Sequence, residues 1–139
     1  MTTRDLSLVT TTNKGVLVTL KRDGRPQLSN IVYAYDAPMH IVRISVTEDR
    51  AKTRNLRRDP RASLYVTSED FWSYEVLDGT ATLSEVTTRP DDEAAEELVQ
   101  LYRAVSGEHP DWDDYRATMV ADGRLVVRLA VEHVYGSAS

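Results

Sequence analysis

GVLVTLKRDGRPQLSNIVY, residues 15–33, is the stretch on which the fold turns. Val16, Val18 and Leu20 alternate with Leu17 and Thr19, the period of a strand with both faces partly buried. Asp23-Gly24 follows, and this pair is a strong hairpin signal because glycine accepts a positive φ. A second strand is expected over residues 27–35, rich in β-branched and aromatic residues, with Pro26 at its start where a missing N–H is harmless. Asp36-Ala37-Pro38 reads as a turn and HIVRISV, residues 40–46, as a third strand. Together these predict a β-meander with short connections.

Downstream, residues 50–58 leave the strand pattern. Ala51, Lys52, Leu56 and several arginines are good helix formers, Thr47 or Asp49 is placed to cap the start, and Pro60 stops the run. Residues 62–67 and 72–83 read as strands four and five, with Gly79 a bulge or bend. Residues 91–106 form an amphipathic helix pattern: Ala94, Leu98, Val99, Tyr102 and Val105 recur at helical spacing behind an acidic first turn. A shorter helix is expected over residues 109–121, with Pro110 near its start and Gly123 after its end, and residues 124–134 return to strand. Many short strands with one helical excursion and no flexible linker predict one mainly β domain over residues 1–139, a small barrel rather than a parallel βαβ fold.

A chain of 139 residues, 28% charged and 41% hydrophobic, is long enough for a real core. It contains no cysteine, which excludes disulfides and thiolate metal sites and suits a reducing cytoplasm. Its beginning lacks the apolar run of a signal peptide, and no segment approaches ~18 consecutive apolar residues, so a cytoplasmic protein with no membrane span is expected. A net charge of −5 argues against general nucleic-acid binding. The charge is uneven, however: six of the 17 basic residues (Arg50, Lys52, Arg54, Arg57, Arg58 and Arg61) stand within one short segment, with Asp59 the only acid among them. Such a segment is either an anion site or a solvated face.

Several chemistries are absent. The glycines form neither a dinucleotide turn nor a P-loop, and no serine sits in a nucleophile elbow. His40, His109 and His133 are far apart and match no metal spacing, and Glu69/Asp70 and Asp91/Asp92 are adjacent carboxylates that diverge on regular structure. No metal site is expected, and the side chains offer no obvious reactive set, so the catalytic residues stay open and a borrowed cofactor is favoured. Arg50, Ala51, Lys52 and Thr53 remain. Backbone N–H groups at a helix start, beside an arginine, a lysine and a hydroxyl, are what a phosphate requires, though a solvated helix start reads equally well. Arg57, Arg58 and Arg61 read as solvated or paired with acids. Gln27, Ser29 and Asn30 are polar residues in an apolar strand, either an exposed edge or hydrogen-bonding partners for a flat heterocycle. Phe71, Trp72, Ser73 and Tyr74 form a bulky cluster suited to stacking on a ring or to filling a core or interface.

Residues 15–33, RAKTRNLRRDPRASLYV (residues 50–66), WSYEVLDGTATL (residues 72–83), DWDDYRATMV (residues 111–120) and the closing HVYG together resemble the pyridoxamine 5′-phosphate oxidase-like split-barrel proteins. Within them the chain is most similar to the actinobacterial branch that uses the deazaflavin coenzyme F420. The resemblance implies a six-stranded antiparallel Greek-key split barrel, a homodimer, and two cofactor grooves shared between subunits. It implies that Arg50, Lys52 and Thr53 hold the phosphate with the Ala51 backbone nearby. Gln27, Ser29 and Asn30 would face the tricyclic ring, and Trp72 and Ser73 would line the groove or approach from the other subunit. The segment before Lys14 is short and polar where family members often begin with a longer helix.

The implied activity is hydride transfer from reduced F420 to an unsaturated small molecule. FMN-dependent oxidation of pyridoxamine phosphate is the alternative enzyme reading, although no second basic set is present for a substrate phosphate. A non-catalytic F420 carrier is the third.

Overall fold

The computed structural model describes residues 6–137; the first five residues and the last two lie outside it. The elements run α1 (Ser7–Thr11), β1 (Lys14–Leu20), β2 (Pro26–Val32), β3 (Ala34–Asp36), β4 (Ile41–Thr47), α2 (Ala51–Arg58), β5 (Arg61–Thr67), β6 (Tyr74–Leu83), α3 (Glu93–Ser106), α4 (Trp112–Asp122) and β7 (Arg124–Gly136). The strands form one antiparallel sheet in the order β2-β1-β5-β6-β7-β4-β3. The mainly β, curled antiparallel architecture agrees with the split-barrel expectation.

The sheet has seven strands, where the resemblance implied six. The extra strand arises because residues 27–35 do not run as one. β2 pairs with β1 through the predicted hairpin, Val18 opposite Leu28 and Val16 opposite Asn30. β3 pairs instead with β4, at the other edge of the sheet. The continuous meander is therefore not formed: its two hairpins survive, β1 with β2 and, through the turn expected at residues 36–38, β3 with β4, but the chain bends at Tyr33 and sends them to opposite edges. Tyr33 is buried, its N–H donates to the Asn13 carbonyl at 2.8 Å and its hydroxyl to the Val9 carbonyl at 2.6 Å. Burial, then the Glu75 carboxylate, push this phenol far above its usual range.

The interior is filled by alternate residues of every long strand, among them Leu17, Val42, Ile44, Leu64, Leu77 and Leu129. Gly79 marks the register shift between β6 and β7, as expected of a bulge; a Cβ there would stand 2.0 Å from the Ala130 carbonyl oxygen. The segment before Lys14 is less polar in effect than its composition: α1 buries Val9, whose N–H donates to the Glu75 carboxylate at 3.0 Å. Residues 72 and 73 precede β6 rather than belonging to it, because Ser73 is tied into a loop by its N–H donating to the Ser68 hydroxyl and its carbonyl accepting from the Ser68 N–H. Neither Thr47 nor Asp49 caps α2; the Thr47 hydroxyl donates to Asp49 instead, and Arg50 occupies the cap without a side-chain bond.

Outside the barrel, α3 and α4 cover β4 and the start of β7. Their apolar faces meet Val126, the outward residue of β7. Four rings, Tyr102, His109, Trp112 and Tyr115, pack with centroids 5.0–5.7 Å apart and join the two helices. Asp92 caps α3, and Gly123 ends α4 in the left-handed region at φ 66°. Among the described residues no helix is long and apolar enough to cross a membrane.

One carboxylate fastens α3 to the sheet. Arg43 and Arg128 are cross-strand partners, and Glu97 accepts from both, at 3.3 and 2.7 Å. Glu97→Ala leaves Arg128 without its carboxylate, facing an Arg43 that keeps only Asp36, at 3.0 Å. The expected cost is about 2–3 kcal/mol, below that of a fully buried pair because water still reaches the site. A thermal melt roughly 10 °C below wild type checks this; a melt within a degree or so would show that α3 is held by apolar packing alone.

Candidate functional site

The backbone of the barrel leaves one gap. Among the described residues β2 pairs only with β1, and β3 covers only Ile41–Arg43 of β4, so the rest of that side of β4 has no strand partner among them. A cleft of about 440 Å³ lies over this gap. Asn30 and Val32 of β2, Ser45 of β4, Lys52 of α2 and Arg124 of β7 line it, and Tyr102, Tyr115 and Met119 wall it from the helix pair. Unpaired strand edges offer N–H and C=O groups in the same line, which suits the amide-like edge of a flat heterocycle.

The sequence-predicted residues divide around α2. Successive helical residues turn by 100°, so four adjacent side chains cannot all face one ligand. Lys52 enters the cleft over the gap. Ala51 lines a different cleft of about 590 Å³, with Lys21, Arg22, Gln27, Arg54 and Arg57. Thr53 is buried and its hydroxyl donates to the Thr47 carbonyl at 2.7 Å, so it holds the helix start rather than facing outward. Arg50 is exposed, and its carbonyl accepts from the N–H groups of Thr53 and Arg54. The N–H groups of Ala51 and Lys52 open the helix, where no intrahelical acceptor exists.

β2 divides its polar residues in the same way. Asn30 shares the outward side with Leu28 and Val32, whereas Gln27 and Ser29 alternate to the inward side with Ile31. Gln27 has a structural partner: its side-chain oxygen accepts from Asn55 Nδ2 at 2.9 Å, and the same nitrogen donates to the buried Thr19 hydroxyl, which seals α2 onto the end of the barrel. Arg61 pairs with Asp59 at 2.8 Å, as expected. Arg58 is exposed, as expected, and its guanidinium also donates to the Leu20 carbonyl at 2.6 Å and to Asn55.

Trp72 and Ser73 do not line this cleft of their own chain. Trp72 is 85% exposed and Phe71 76%, on a loop fixed by Ser68 and Asp70. Beside them a larger cleft of about 1150 Å³ contains Lys14, Asn30, Tyr33, Tyr35, Ser68 and Phe71, and it joins the first through residues 30–32. Sequence reasoning missed Ser45 and Arg124, which sit in ordinary-looking strands far from Lys52 in the chain.

Electrostatics mark Lys52. Burial first, then Arg50 and Arg124, lower its ammonium below the usual lysine range. No carboxylate pairs with it among the described residues. An uncompensated cation at a helix start, beside a second cation, is arranged for an anion.

The sequence model of a family described as pyridoxamine 5′-phosphate oxidase matches residues 2–138. Among solved structures, a conserved hypothetical protein, Rv2991, from Mycobacterium tuberculosis aligns with a TM-score of 0.71 at 21% identity, over 93% of this chain and 79% of that one. An F420 reductase aligns at 0.70 and 20% identity over 97% and 98%. A heme binding protein from Mycobacterium smegmatis aligns at 0.69 and 21% identity, over 98% of this chain and 55% of that one. At these identities the likeness establishes the fold.

The lowered ammonium has a signed consequence. A base with a depressed folded pKa opposes folding while it is protonated, so stability rises as pH climbs through the window below the normal lysine value. Lys52→Met is therefore expected to melt no lower than wild type at neutral pH without ligand. Saturating inorganic phosphate should raise the wild-type melt, by about 2.7 kcal/mol of stability at a hundred times its Kd, and raise that of the variant by about half as much or less at the same concentration. Equal phosphate stabilisation of both proteins would place the anion elsewhere.

Proposed function

The chain belongs to the pyridoxamine 5′-phosphate oxidase family, and on that premise we propose that it binds coenzyme F420 and transfers hydride from it to an unsaturated small molecule. The observation that carries this reading is the cleft over the barrel gap, where a cation without a carboxylate partner stands beside two unpaired strand edges. The residues fit a phosphate-bearing tricyclic group. Lys52 and the first N–H groups of α2 take the phosphate, Asn30 and the strand edges take the polar side of the ring, and Tyr102, Tyr115 and Met119 exclude water. Hydride donation from ring carbon 5 is the chemistry that such a cofactor supplies when bound. Arg50 and the Ala51 backbone lie close enough in sequence to join the phosphate, while Gln27 and Thr53 hold α2 in place behind the site.

Preference for F420 over FMN rests on the second cleft. Lys21, Arg22 and Arg57 gather on the other flank of α2, where an acidic tail beyond the phosphate would meet them. FMN lacks that tail. A carrier that binds without turnover would share these features and differ only in lacking a reductase reaction.

A homodimer belongs to the same reading. Leu28, Val32, Phe71, Trp72, Tyr74 and Tyr135 are large apolar residues left exposed, and the strand residues among them share the outer face of the sheet that no helix covers. Exposed patches of this kind mark interfaces. A second copy seated there would bring its Trp72 and Ser73 towards the cleft. Light scattering is expected to give a dimer at micromolar concentration, and a monomer would remove the shared groove.

Titration with F420 and FMN at low and high salt tests the cofactor. F420 is expected to bind more tightly, with the difference shrinking as salt screens the tail. Lys52→Ala should cost about 1.5–3 kcal/mol, roughly ten- to 150-fold in affinity. Arg61→Ala removes one positive charge from the same segment but only from an exposed pair, and it should cost little. Equal losses in the two variants would reduce the site to long-range charge.

A further inference from the structure

We propose that Arg124 is the second cation that reads the cofactor's phosphate, opposite Lys52, with Ser45 positioning its guanidinium. This rests on the phosphate-bearing cofactor proposed above and adds a residue that the resemblance did not supply.

Arg124 opens β7 directly after the left-handed Gly123. Its Nη1 donates to the Ser45 hydroxyl at 3.4 Å, and both side chains line the cleft that Lys52 enters. Its Nε is buried without a hydrogen-bond partner among the described residues; the Asp122 carboxylate stands off at 3.8 Å. A buried guanidinium N–H left open is costly unless something accepts from it.

The partly buried arginine pair on the same two strands sharpens the contrast. Arg43 and Arg128 face each other on the same two strands, and Glu97 bridges them. Arg61, Arg103 and Arg116 each hold a carboxylate at 3.1 Å or closer. Lys52 and Arg124 also repel one another, yet no carboxylate bridges them among the described residues. The missing bridge is an anion from outside. A guanidinium presents a planar fork to phosphate oxygens while a lysine acts as a point charge, so the pair fixes both orientation and charge. Ser45 has its side chain on the outward face of β4, where it keeps the fork turned to the cleft.

The test uses two ligand pairs that differ in the phosphate-bearing arm: FMN with riboflavin, and F420 with its phosphate-free chromophore. Calorimetric titration of wild type is expected to favour the phosphate-bearing member of at least one pair by tenfold or more. Arg124→Gln should weaken that member about ten- to 100-fold and leave its phosphate-free partner unchanged, so that the preference collapses. Arg124→Lys, which keeps the charge and loses the fork, should recover part of it, and Ser45→Ala should weaken the phosphate-bearing member a few-fold. Thermal melts of the ligand-free variants accompany each titration; should Arg124→Gln not remain folded, Arg124→Lys decides. A wild-type preference kept in full by Arg124→Gln, or equal losses for both members of a pair, overturns the assignment and makes Arg124 structural. No wild-type preference in either pair overturns the phosphate reading itself, and the Arg124 assignment with it.

Discussion

Tyr33 stands alone between two strands that lie at opposite edges of one sheet. β2 ends at Val32 and β3 begins at Ala34, yet six positions separate them in the strand order. A sheet whose two edges are tied by a single residue has to curl until they meet. That closure costs the backbone its regular pairing at the bend, and Tyr33 answers with an N–H bond to Asn13 and a hydroxyl bond to Val9. The closure is incomplete because β3 is three residues long and leaves most of one side of β4 with no strand partner among the described residues. The cleft is therefore a by-product of the way the barrel shuts. α2, which departs from the end of β4, inherits a position beside it.

Charge is arranged around the same gap. On the closed side of β4 and β7, Glu97 joins facing arginines and brings α3 down onto the sheet. At the open end the same two strands carry Ser45 and Arg124, and Lys52 approaches from α2 with no acid between. One cationic pair is neutralised by the protein's own helix and the next is left to repel, which is the contrast on which the proposed anion site rests. The helix pair serves both ends: α3 supplies Glu97 to one and Tyr102 to the other.

What could be read from the sequence was what is local. The Asp23-Gly24 hairpin, the Gly79 bulge and the amphipathic pattern of α3 each depend on neighbours a few residues away, and each formed as expected. The bend at Tyr33 did not announce itself, because apolar and β-branched residues continue through it and the partner of β3 is fixed by tertiary closure. Within the site the basic turn was legible as a cluster, but its internal division was not. Lys52 and Asn30 reach the cleft, while Thr53 and Gln27 are consumed in fastening α2 to β4 and to the barrel end. Polar side chains at a site and polar side chains that support it look alike in one dimension. Arg124 and Ser45 left no signal, since an arginine and a serine in strands are unremarkable until the strands are placed side by side.

The uncovered face of the sheet bears on the same cleft. Asn30 lies between Leu28 and Val32 on the outward side of β2, so the cleft-lining residue and the exposed apolar residues belong to one surface. At the far end, Phe71 holds a positive φ of 71° and Trp72 projects from a loop stapled by Ser68 and Asp70. A bulky residue in that backbone region is strained, and a loop that rigid does not exist to let a tryptophan move freely. Burying a tryptophan of this size is worth several kcal/mol, by the usual ~25 cal/mol per Å² of apolar area. A second copy laid on the face would gain that burial and cover Leu28 and Val32 at once. It would also set a rigid aromatic against the open side of a cleft that one chain walls on only one side. On the dimer proposed above, the strain at Phe71 and the gap beside Lys52 would have a common explanation, as two halves of a site that a second copy completes.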